Sequence, residues 1–140
     1  MNETRLQPLL SLAERRVDAA AGTVQQRRAE STTEQARLDE LRSYLADYEQ
    51  RMAQPSSWQL ANHAAFISRL RQAVTQQEQT VARTQQAVDN AVGHWTEQRL
   101  DQRRFEILCQ QAHDAHATRQ NKREQHAQDD LAARHTEPKP

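Results

Sequence analysis

Leu38-Asp39-Glu40-Leu41-Arg42-Ser43-Tyr44-Leu45-Ala46-Asp47-Tyr48-Glu49-Gln50-Arg51-Met52 places apolar residues at alternating steps of three and four, and Ala53-Gln54-Pro55-Ser56-Ser57 then breaks the pattern. One narrow apolar seam on a helix calls for a partner helix. Traced backwards in the same strict frame, the seam passes through Glu34, Ser31, Arg27, Val24, Ala20, Val17, Ala13, Leu10 and Leu6. Beyond the break it resumes at Ile67, Leu70, Val74, Gln77, Val81, Thr84, Val88, Ala91, Trp95, Gln98, Gln102, Phe105, Cys109 and Ala112. The polar insertions are Arg27, Ser31 and Glu34 in the first half and Gln77, Thr84, Gln98 and Gln102 in the second. Pro55 withdraws a backbone donor and drives its predecessor towards extended geometry, so the chain reverses there.

These observations predict an all-α protein, a long two-helix antiparallel coiled-coil hairpin, with one domain over 1–140. Its parts are a first helix over 5–52, a hinge over 53–61, a second helix over 62–128 and a frayed tail over 129–140. Ser56 with Gln59 has the form of a capping box for the second helix, and Asn62 is another possible cap. Pro8 fits a first helical turn, with Thr4 and Gln7 as an alternative cap one turn earlier. With equal rise in both helices, residues whose numbers sum to about 115 stand level. Tyr48 then meets Ile67, Leu10 meets Phe105, and the two glycines, Gly22 and Gly93, fall opposite one another, by coincidence or as a weak point where the hairpin bends.

Composition agrees. Only 36% of the 140 residues are apolar, aromatics supply 4%, and two glycines and four prolines leave little material for strands and turns. The 19 basic and 19 acidic residues balance, which removes the positive field of a nucleic-acid-coating protein, although Arg99 to Arg104 is locally basic. The first dozen residues read as neither signal peptide nor membrane span, and a cytoplasmic location is expected. Cys109 reads as a small packed apolar side chain. His113 and His116 share a helical face without the further ligands that a metal needs, and the carboxylates alternate with Arg and Lys as solubilising charge. No catalytic residue, metal site or cofactor is expected.

Trp58, Tyr44 and Phe66 are large apolar groups that the seam does not use, and they gather near the bend as partner anchors or as peripheral packing around a thin core. The segments Arg5-Leu6-x-x-Leu9-x-x-Leu12-Ala13-Glu14, Leu38-x-x-Leu41-x-x-Tyr44-x-x-x-Tyr48 and Phe66-Ile67-x-x-Leu70-x-x-Ala73-Val74, with Trp95 downstream and Asp129-Asp130-Leu131-Ala132 near the end, together resemble the FliJ family of flagellar export proteins.

The resemblance implies a non-enzymatic hairpin similar to the γ-subunit stalk of rotary ATPases. Its implied partners are a hexameric flagellar export ATPase, whose assembly and activity it promotes, the membrane export gate protein, and export chaperones. It implies no nucleic-acid partner and no membrane insertion, only peripheral association with the inner membrane at the flagellar base. Carried across residue by residue, the gate or chaperone surface is Leu41, Tyr44, Tyr48, Phe66, Leu70 and Ala73. Arg37 and Gln77 depart from residues common in the family. Leu41, Tyr48 and Leu70 are seam positions, which leaves Tyr44, Phe66 and Ala73 as the expected exposed contacts. The ATPase-contacting tip is Leu6, Leu9, Ala13, Asp129, Asp130 and Leu131. The other readings are a structural coiled-coil scaffold, the stalk of a virulence-type secretion system, and a nucleic-acid-binding hairpin.

Overall fold

A computed structural model describes residues 2–52 and 59–136. They form two helices, α1 (Glu3–Arg51) and α2 (Gln59–Thr136), of 49 and 78 residues, and no strand occurs among the described residues. The helices pack against each other as an antiparallel hairpin. Arg71 reaches Glu49 at 3.0 Å, Arg42 reaches Glu78 at 3.5 Å and His113 reaches Glu3 at 3.4 Å, each pair near the level expected for chains of equal rise. Pro55, Ser56 and Trp58, on which the hinge and one proposed cap rest, lie outside the described residues.

The hairpin divides into two compact units, Met1–Val17 with Glu97–Pro140, and Asp18–Thr96. In the first, Leu6, Ala13, Val17 and Cys109 are buried, and Leu10, Gln98, Gln102, Phe105 and Ala112 are half-buried. Its helix start differs from expectation. Asn2, not Thr4, is the cap: its side-chain oxygen accepts from the Thr4 N–H at 3.3 Å, and its carbonyl accepts from Arg5 and Leu6 at 3.0 and 3.2 Å. Pro8 therefore lies inside α1, beyond the first turn.

α2 also departs from the expected bounds. Gln59 to Ala61, read as hinge, are already helical, and the helix continues past 128 through Asp129, Asp130 and Leu131 to Thr136. The reason is local. From Arg119 onward Ala, Gln, Arg, Lys and Glu predominate, all good helix formers, and no proline intervenes before Pro138.

The second unit buries Ala20, Val24, Leu38, Ile67, Val74, Val88 and Ala91. Its polar seam residues are half-buried, and Arg27, Glu34, Gln77 and Thr84 are bonded. The Gln77 amide donates to the Glu34 main-chain carbonyl at 2.9 Å and to the Glu34 carboxylate at 2.7 Å, while Arg37 donates to the same carboxylate at 2.8 Å. Thr84 donates to the Val81 carbonyl at 2.9 Å, and Arg27 pairs with Glu30 at 3.1 Å. Among the described residues no buried side-chain polar atom lacks a partner, as a thin core requires.

Gly22 and Gly93 belong to this unit. Both are exposed with ordinary helical backbone, and a Cβ at either would meet nothing within 4 Å. Neither packing nor backbone geometry calls for glycine. Replacing both with alanine is expected to stabilise the chain by about 0.5–1 kcal/mol at each site, since alanine loses less backbone freedom in a helix. Thermal melts followed by circular dichroism should rise by several degrees, and an unchanged or lower midpoint would show that the fold uses the glycines' freedom.

Candidate partner-binding surfaces

A two-helix seam leaves two flanks, and the second unit shows which residues share each. The ion pairs Glu49–Arg71 and Arg42–Glu78 join residues that immediately follow Tyr48, Leu70, Leu41 and Gln77 in the seam. One flank is thus laced by charges across the helices. By the same symmetry, residues immediately preceding a seam position share the opposite flank: Arg37, Tyr44 and Arg51 on α1, seven apart, and Phe66, Ala73 and Thr80 on α2, also seven apart.

This second flank carries the aromatic side chains. Tyr44 is 58% exposed and Phe66 39%. The Phe66 ring packs on Tyr48 with centroids 4.6 Å apart and planes tilted by 50°, and His63 lies 6.4 Å from the same tyrosine. Tilted ring pairs at this separation are favourable beyond the area they bury. Leu41, Tyr48 and Leu70 are half-buried, so they floor the patch. Ala73 corrects the expectation of an exposed contact, because it is half-buried: a single methyl beside the seam does not reach past its neighbours. Sequence reasoning missed Arg51, whose guanidinium lies 5.5 Å from the Tyr48 ring centroid. Its seven-residue spacing from Tyr44 was the available signal.

The expected ATPase-contacting residues do not form one cluster. Leu6 and Ala13 are buried in the seam, at 1% and 4% exposure, whereas Leu9, one turn along from Leu6, is 38% exposed. Leu9 lines a recess of about 60 Å³ with Leu12, Ala13, Arg16, Gln98, Asp101 and Phe105. Asp129, Asp130 and Leu131 are exposed. They lie some 20 residues along α2 from Cys109, the residue level with Leu6, which is about 30 Å at helical rise. Every described side chain from His113 to His135 is exposed, and among the described residues no α1 residue stands level with Asp129, Asp130 and Leu131.

No group of three or more potential metal ligands occurs among the described residues, and His113 instead pairs with Glu3. No described helix is long and apolar enough to cross a membrane. The family model described as "Flagellar FliJ protein" matches residues 1–137. The chain belongs to the flagellar FliJ family. No curated protein matches the sequence. FliJ proteins are non-catalytic components of flagellar protein export.

Proposed function

We propose that this FliJ-family chain is the stalk of the flagellar export ATPase ring: it promotes assembly and activity of the hexamer, couples it to the membrane export gate and escorts export chaperones. The observation that carries this reading is that unlike surfaces occur on one hairpin. An aromatic patch of Tyr44 and Phe66 rests on Tyr48, and a charged stretch of α2 runs on with no α1 residue level with it among the described residues. In this reading Leu41, Tyr44, Tyr48, Phe66, Leu70 and Ala73 take the gate or a chaperone. Leu9 with Asp129, Asp130 and Leu131 contacts the ATPase, while Leu6 and Ala13 hold that end together from within. The site of action is the cytoplasmic face of the inner membrane at the flagellar base.

The test is the hydrolysis rate and oligomeric state of the cognate export ATPase with and without an equimolar amount of this chain. Faster hydrolysis with more hexamer is the expected result. No change in either, with the chain folded, would leave a structural scaffold as the better account.

A further inference from the structure

Around the aromatic patch, the two flanks of the second unit differ in how their charges are paired. On one, Arg71 meets Glu49 at 3.0 Å and Arg42 meets Glu78 at 3.5 Å across the helices. On the aromatic flank the residues level with Arg51, Tyr44 and Arg37 are Phe66, Ala73 and Thr80, none of them acidic. Arg37 is neutralised within its own helix by Glu34. Arg51 has no ion pair among the described residues, and residues 53–58 contain no acid to supply one. Asp47 stands one turn back on α1, yet the Arg51 guanidinium lies over the Tyr48 ring. Arg69, one turn from Phe66 on α2, is also exposed and without an ion pair among the described residues. Glu40 and Asp47 lie one step farther from the seam on α1, at the Tyr44 end of the patch.

We propose that Arg51 and Arg69 form a cationic border to the aromatic flank, and that the partner segment docking there is an amphipathic one whose apolar face packs on Tyr44, Tyr48 and Phe66 and whose edge carries carboxylates that pair with these arginines. The proposal rests on the gate-docking reading and adds the charge of the occupant. A guanidinium over a ring face keeps N–H groups free to donate to a carboxylate in a charge-assisted, fork-like pair. The tyrosine stacking positions Arg51 before the partner arrives, so less side-chain freedom is lost on binding. The aromatic groups supply contact area, and the arginines supply selection against partners with a basic edge.

The experiment measures the affinity of the full chain for the cytoplasmic region of the export gate protein over a range of salt concentrations. Arg51→Glu is expected to weaken binding at least about tenfold and to flatten its salt dependence, with a further loss on adding Arg69→Glu. Arg51→Lys, which keeps the charge but loses the fork, should bind between Arg51→Glu and the unmodified chain, and Arg42→Gln on the opposite flank should stay within about twofold of the unmodified chain. Circular dichroism should show the same helicity in all. Binding by Arg51→Glu equal to that of the unmodified chain, or an equal loss from Arg42→Gln, overturns the cationic border while the docking reading stands. Failure of the unmodified chain to bind the gate region overturns both.

Discussion

Ending the chain after Thr118 is expected to abolish stimulation of the export ATPase while leaving the paired part of the two helices folded. From Arg119 to His135 every side chain is exposed, so almost no apolar surface held against α1 is lost. The removed stretch gives up one described side-chain bond to the retained helix, from Arg119 Nε to the Ala115 carbonyl at 3.4 Å, and such exposed bonds contribute little. Total helicity should therefore fall roughly in proportion to the residues removed, with the melting midpoint nearly unchanged. Gate binding should survive, because Tyr44, Tyr48 and Phe66 are untouched. ATPase stimulation that persists in the shortened chain would rule out the end of α2 as the contact, and a parallel loss of gate binding would rule out separate surfaces.

Leu6→Ala should produce the largest loss of stability from a single side chain in the first unit. Leu6 is 1% exposed, and truncating a buried leucine removes its transfer energy and leaves a cavity, together about 2–4 kcal/mol. A seam one side chain wide has few neighbours able to move in. Leu9→Ala, three residues away, should cost less than about 1 kcal/mol because that side chain is already 38% exposed. The assay separates their roles. Thermal melts should drop by about 10 °C for the first and a few degrees at most for the second, whereas affinity for the ATPase should fall for Leu9→Ala measured well below its melting range. Equal melting behaviour in the two would contradict the burial difference, and undiminished ATPase affinity in Leu9→Ala would remove that leucine from the contact.

The seam was legible because period is a local property. All 28 positions of the frame from Leu6 to Met52 and from Ile67 to Ala112 are buried or half-buried, including Arg27, Ser31, Glu34, Gln77, Thr84, Gln98 and Gln102. What a polar seam residue bonds to was not legible, since spacing fixes the face of a helix and not the rotamer or the reach across it. Nothing in the sequence announced that Gln77 would span to both the main-chain carbonyl and the carboxylate of Glu34, or that Arg51 would lie on Tyr48 in preference to Asp47. The end of α2 was missed for a different reason. Loss of apolar residues was read as loss of helix, but Ala, Gln, Lys and Arg sustain a helix on intrinsic preference alone. Carrying family positions onto the chain mixed Leu6 and Ala13 with Leu9 because a motif does not record depth.

The bond from Gln77 to Glu34 also acts as a vernier for the pair of helices. Leu, Val and Ala recur along both seams, so sliding one helix by a heptad would still match apolar with apolar. It would, however, set Gln77 against Arg27 or Leu41, strand its half-buried amide at a cost of about 1–3 kcal/mol, and leave the Glu34 carboxylate with Arg37 alone. Only one alignment satisfies both, as a single buried polar residue does when it selects among otherwise similar coiled-coil pairings. That alignment is the one that brings Phe66 to Tyr48, about 20 Å along α1 from Glu34 at helical rise. Two polar side chains with no place in the aromatic patch thereby determine which rings meet to make it.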